Sequence, residues 1–181
     1  MATWSTPKTW AVGEALTAND MNTYVSDNLD YLKETGEIGA RVYNSANISI
    51  PHSTYTELTF DSERYDPDDM HSIVSNTGRI TINEAGRYLI GGNVYFATHP
   101  TGNRALMVDH YPSGGGGPII IAFGNLAGVS GMYTAMNVNT TYELAAGDYL
   151  TLEAYQSSGG ALNISASPNY SPEFWVERIG D

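Results

Sequence analysis

The side chains with most claim to chemistry in this chain are an acidic run, Asp61, Glu63, Asp66, Asp68 and Asp69, and four histidines, His52, His71, His99 and His110. Clustered carboxylates suit hard cations, but the spacing of this run does not match an EF-hand. A solvated polar loop is the expectation, with Ca²⁺ at Asp66, Asp68 and Asp69 as the alternative. The histidines are scattered through turns and strand ends without H-E-x-x-H spacing, so each reads as a surface residue. Only a three-fold axis, gathering three copies of His99 or His110, would make a metal site of them. Gly128-Val129-Ser130-Gly131-Met132 lacks the last glycine of a nucleophile elbow, and no helix follows it. The tetraglycine at 114–117 lacks the Lys-Ser/Thr of a phosphate loop. No cysteine is present, which removes thiolate metal sites and disulfides together. Neither a catalytic residue nor a cofactor is expected.

The rest of the composition describes a scaffold. With 181 residues the chain fits one domain plus an appendage. Charged residues are only 15%, while 13 Tyr and 19 Gly accompany many Thr, Ser and Asn, a balance that favours strands and turns. The net charge of -12 and the lack of a basic run argue against nucleic acid. No apolar stretch has the length of a membrane span, so no membrane insertion is expected, and residues 1–16 do not read as a secretory signal. The sequons at Asn47, Asn139 and Asn163 therefore carry little weight.

Three segments must position whatever the chain does. Residues 1–16 read as an extended anchoring arm carrying Trp4, Trp10, Val12 and Leu16, with the indoles either inserted in a partner or packed back on the stalk. Residues 17–35 read as a short helix that opens on a Thr17/Asp20 capping box and ends at Gly36 and Gly39. Within it Met21, Val25, Asn28 and Leu32 follow a 4, 3, 4 spacing, the seam of a coiled coil with one polar layer at Asn28. The other reading is an amphipathic helix docked on its own domain. Residues 40–181 read as an all-β knob. Tyr88, Ile90, Gly92, Val94 and Phe96 alternate with Leu89, Gly91, Asn93 and Tyr95, and Phe174 and Val176 alternate with Trp175 and Ile179. Strands apolar on both faces predict a second buried surface, so Leu89, Tyr95, Trp175 and Ile179 are placed in a subunit interface. Glycine-rich connections are expected at 112–118 and 124–131.

Phe60-Asp61, Asn76-Thr77-Gly78-Arg79-Ile80, Glu84-Ala85-Gly86-Arg87-Tyr88, Leu144-Ala145-Ala146-Gly147-Asp148-Tyr149 and Phe174-Trp175-Val176-Glu177-Arg178-Ile179 resemble, in order and spacing, the tumour-necrosis-factor and complement globular-head superfamily. That resemblance implies a ten-stranded jelly-roll sandwich that forms a homotrimer through its inner sheets and is not an enzyme. The run from Thr9 to Asn22, continued by Val25, Asp27-Asn28-Leu29 and Leu32-Lys33, is similar to the leading segment of tailed-bacteriophage appendage proteins of fibre, spike or head-fibre type. It implies a virion protein assembled in the bacterial host cytoplasm, whose arm binds capsid, neck or tail proteins and whose helix is a trimeric stalk. The knob would bind host-surface carbohydrate as an adhesin, or serve as capsid decoration or head fibre without adhesin activity. A non-viral bacterial surface trimer of the same fold is the remaining alternative.

Overall fold

The computed structural model describes residues 4–35, 38–167 and 172–180. The chain divides into two compact units, Met1–Ile38 and Gly39–Asp181.

In the first unit the capping box forms as expected. The Thr17 hydroxyl accepts the Asp20 N–H at 3.1 Å, and the Asp20 carboxylate accepts the Thr17 N–H at 3.2 Å. Helix α1 (Ala18–Met21), a π-helical turn (Asn22–Ser26) and α2 (Asp27–Thr35) follow without a break. Gly36, expected to end the helix, lies outside the described residues. The π turn changes the expected seam. Its i to i+5 hydrogen bonding holds more residues per turn than an α-helix, so the face beyond it rotates by about one position. Leu29, 61% exposed, joins Met21, Val25 and Leu32 on the open side, whereas Asn28 is only 6% exposed. The arm claims Asn28. Its side-chain oxygen accepts the Ser5 N–H and its amide donates to the Ser5 carbonyl, each at 2.8 Å. Trp4 tilts onto Tyr31 and Trp10 meets Tyr24 edge-on, with centroids 5.8 and 6.3 Å apart. The arm is therefore folded back along its own helix.

The second unit is an antiparallel two-sheet sandwich. Its strands are β1 (Gly39–Tyr43), β2 (Ile48–Ile50), β3 (Thr56–Glu57), β4 (Ser62–Tyr65), β5 (Arg79–Thr81), β6 (Gly86–Phe96), β7 (Asn103–Tyr111), β8 (Ile119–Ala127), β9 (Thr134–Leu144), β10 (Tyr149–Gln156), β11 (Leu162–Ile164) and β12 (Glu173–Gly180). The larger sheet runs β2-β11-β6-β12-β1-β4 with β9 also paired to β6, and the smaller runs β3-β10-β7-β8 with β5 also paired to β10. Twelve strands are formed among the described residues where ten were expected, because two- and three-residue segments such as β3 and β5 both ladder onto β10.

Alternation places the core as the sequence predicts. Tyr88, Ile90, Val94 and Phe96 of β6, Phe174 and Val176 of β12, and Leu150, Leu152 and Ala154 of β10 have no exposed surface. Each large side chain removed from water contributes about 1.5–3 kcal/mol, the main source of cohesion in a knob without disulfides. The turn into β10 is built by Gly147 at φ 86° and by Asp148. The Asp148 carboxylate accepts the N–H groups of Ser113 and Ala145 at 2.8 and 2.9 Å and meets His110 Nε2 at 2.8 Å. Burial pushes the Asp148 carboxyl up, but these donors outweigh it and hold the group below its ordinary range. The connection expected at 124–131 is shorter than predicted, because the ladder with β7 carries β8 on to Ala127, opposite Asn103.

Candidate functional site

The larger sheet turns one face away from the core, and the side chains on it are unusual for open surface. Leu89, Gly91, Asn93 and Tyr95 alternate outward along β6, while Trp175 and Glu177 do so from β12. Gly91 and Gly92 let this strand be approached closely from both sides. A Cβ on Gly91 would overlap the Trp175 indole, and one on Gly92 would lie 2.6 Å from the Leu152 side chain in the core. Trp175 therefore lies flat across β6. Beside it Leu89, Trp175, Arg41, Tyr65, Asn93 and Glu177 line a depression of about 280 Å³. Tyr95 borders two larger hollows. One, of about 620 Å³, is shared with Arg41, Arg64 and Glu173, and the other, of about 770 Å³, with Met132, Tyr133 and Asn47.

Charge on this face is neutralised within the chain. Glu173, only 6% exposed, accepts from Arg41 through Nε at 3.0 Å and through Nη2. Its other oxygen accepts from Arg64 Nε and Nη2 at 3.2 and 3.0 Å. Such forked guanidinium bonds are the geometry that makes a buried carboxylate tolerable. The Arg64 guanidinium also rests 4.0 Å above the Tyr43 ring. Tyr65 donates its hydroxyl to Glu177, and burial together with that carboxylate pushes the phenol up to about 12.

Of the four side chains expected at an interface, Leu89, Tyr95 and Trp175 are brought to this one face. Ile179, 51% exposed, follows on β12 beyond these hollows, next to the register shift after Arg178. Sequence reading missed a second apolar surface along the edge strand β8, where Ile119, Ile120, Phe123 and Leu126 are 45–58% exposed. The run Ile119-Ile120-Ile121-Ala122-Phe123 was the available signal, hidden by the glycines on both sides of it. In the first unit, Trp4 and Trp10 are spent partly on their own helix, while Val12 and Leu16 stand exposed.

Of the carboxylates singled out for metal chemistry, that of Asp66 is engaged by backbone donors. Asp66 accepts the N–H groups of Met70 and His71 at 2.9 and 2.8 Å. Asp68 gives its carbonyl to Asn83, and Asp69 turns the chain at φ 51°. Among the described residues no three His, Cys, Asp or Glu side chains group so as to hold a metal ion. His71 and His110 are buried and not superficial. His71 lies 2.9 Å from Glu63 and 3.1 Å from the Thr77 carbonyl, and His110 packs between Asp148 and the Tyr142 ring. His110 stands opposite Leu150 and thus faces the core.

No protein-family model matches the sequence, and no curated protein does. Solved structures do. Murine APRIL at pH 8.0 superposes with a TM-score of 0.59 at 15% identity, over 77% of this chain and 97% of that one. Eiger TNF from S. frugiperda gives 0.57 at 14% identity, over 80% and 93%. The globular domain of zebrafish complement 1qA protein gives 0.57 at 13% identity, over 79% and 98%. At this identity the likeness shows the fold, a jelly-roll head of the tumour-necrosis-factor and complement type.

Proposed function

We propose that the chain is a homotrimeric structural or adhesive protein of a bacteriophage particle, without enzymatic activity. In this reading the N-terminal unit docks on capsid, neck or tail proteins and the sandwich forms the knob. The observation that carries the trimer is a half-exposed aromatic and apolar face and an exposed apolar edge on different elements of one domain. One is the Leu89, Trp175 and Tyr95 face of the larger sheet, and the other is the β8 edge with Ile119, Ile120, Phe123 and Leu126. A cyclic assembly is built from unlike patches, edge of one copy against face of the next, and closes when the rotation returns to its start. The open stripe of Met21, Val25, Leu29 and Leu32 gives the helix an apolar side for the same three-fold partnership. Fewer than three heptads associate weakly alone, so the knob must hold the stalk together.

Sedimentation equilibrium at micromolar concentration tests the assembly. Three times 19.6 kDa is expected for the chain, and a single chain mass for Trp175→Glu and for Phe123→Glu taken separately. A wild-type monomer overturns the shared surface. The virion assignment is supported by the phage-like leading segment. Removing residues 1–35 should leave a folded trimeric knob that no longer fractionates with particles, and its retention on them would defeat the anchor. The released knob is then the reagent for glycan arrays, where binding marks an adhesin and its absence a decoration or head-fibre role.

A further inference from the structure

The outward face of the smaller sheet brings like charges together around a buried hydroxyl that has no hydrogen-bond partner. Along β10, Tyr149, Thr151, Glu153 and Tyr155 point away from the core residues Leu150, Leu152 and Ala154. Glu153 stands directly opposite Glu57 of β3, a like-charge cross-strand pair that costs stability. Asp109 of β7 stands opposite Thr151 on the same face and one diagonal step from Glu153, itself opposite Met107. Asp109 is only 4% exposed, yet burial alone acts on its carboxyl, pushing it up with no hydrogen bond or cation to offset the cost. Burial and then the charges of Asp109 and Glu57 push Glu153 up as well. Thr151 is 1% exposed, and its hydroxyl has no hydrogen-bond partner. A buried hydroxyl without a partner is a group that a ligand would complete.

The neighbouring cation does not serve them. The Arg79 guanidinium rests 4.3 Å above the Tyr149 ring. Tyrosine pairs close both ends of the cluster: Tyr111 on Tyr149, stacked at 4.4 Å and 9°, and Tyr55 on Tyr155 at 4.8 Å. With Tyr111 on one side of Tyr149 and Arg79 on its ring, that pair has little open face on which a sugar could stack. What the strip offers is negative charge, hydroxyls and an extended track.

We infer that this face docks an extended basic polypeptide segment, whose lysine or arginine side chains enter among Glu57, Glu153, Asp109 and the Thr151 hydroxyl. Residues i and i+2 of a strand lie on one face about 6.6–6.8 Å apart, close to the ~7–8 Å diagonal between strands that separates Asp109 from Glu153. An alternating basic strand therefore matches the spacing of the carboxylates. The site lies within one protomer, on the outward face of the smaller sheet, where Asp109 stands opposite Ile120 of the β8 edge and so borders that part of the proposed trimer contact.

The test uses the full chain and a fluorescent ten-residue peptide of alternating Lys and Thr, titrated by anisotropy at low salt. Glu57→Gln with Glu153→Gln should weaken binding at least tenfold and leave the melting temperature equal or higher. Asp27→Asn with Asp30→Asn, which removes the same charge from the helical unit, should change binding less than twofold. Equal losses in the two double variants would reduce the effect to general attraction by an acidic protein and overturn the site. A glucosamine oligomer that displaces the peptide and binds tenfold tighter would overturn the polypeptide as its partner.

Discussion

Two carboxylates are buried to nearly the same depth on the outward faces of the two sheets, Glu173 at 6% exposure and Asp109 at 4%. Their company is opposite. Glu173 has both oxygens held by Arg41 and Arg64, while burial raises the Asp109 carboxyl and Asp109 in turn raises its acidic neighbour Glu153. The contrast says which face the chain completes by itself. In the proposed trimer, charge satisfied internally would leave apolar side chains such as Trp175 and Leu89 to dominate the contact between copies. Charge left unsatisfied selects a partner by sign and loses strength as salt rises.

The largest test of the comparison is Glu173→Ala. It leaves two guanidinium groups facing each other without the carboxylate between them, and breaking a buried ion pair in this way costs about 3–5 kcal/mol. Arg41 and Arg64 are 45% and 36% exposed, so water recovers part of that. A loss of about 2–3 kcal/mol in denaturant unfolding is expected, with an unchanged denaturant slope. A loss under roughly 0.5 kcal/mol, the range of ordinary surface substitutions, would show that Glu173 is not a clamp and erase the difference between the faces.

How much of this could be read beforehand depends on the range of the interaction. The Thr17/Asp20 capping box spans three residues and the alternation of β6 repeats every two, so both were legible. The Leu89, Tyr95 and Trp175 face was legible for the same reason, since two strands each showed an apolar second side. The clamp was not, because Arg41 and Arg64 lie 132 and 109 residues from Glu173 and are joined only by the pairing of β1 with β12 and of β1 with β4. Asn28 misled because the 4, 3, 4 count assumes a uniform α-helix, and the π turn at Asn22–Ser26 shifts the face. His110 looked superficial at a strand end, yet Asp148, 38 residues away, supplies the partner that lets it be buried.

A smaller effect of opposite sign sharpens the comparison. Burial holds the Asp109 carboxyl above its ordinary range in the folded chain. A carboxyl raised by folding contributes its full share to stability below its unfolded value, about 3.9, and that share is lost as pH rises through the raised folded value. At pH 7 the wild-type chain therefore holds an ionised Asp109 in an unfavourable place. Asn has nearly the same shape and no charge, so Asp109→Asn should melt roughly 2 °C higher than wild type at pH 7, the shift given by a fraction of a kcal/mol to about 1 kcal/mol in a domain of this size. The gain should close as pH falls below about 4, where Asp109 is neutral in both states. The same substitution removes a charge that raises Glu153, so the Glu153 carboxyl should titrate lower, which side-chain carboxyl NMR can follow. A variant that melts below wild type at pH 7 would mean that Asp109 already has a cationic partner, and the two sheet faces would then be compensated alike.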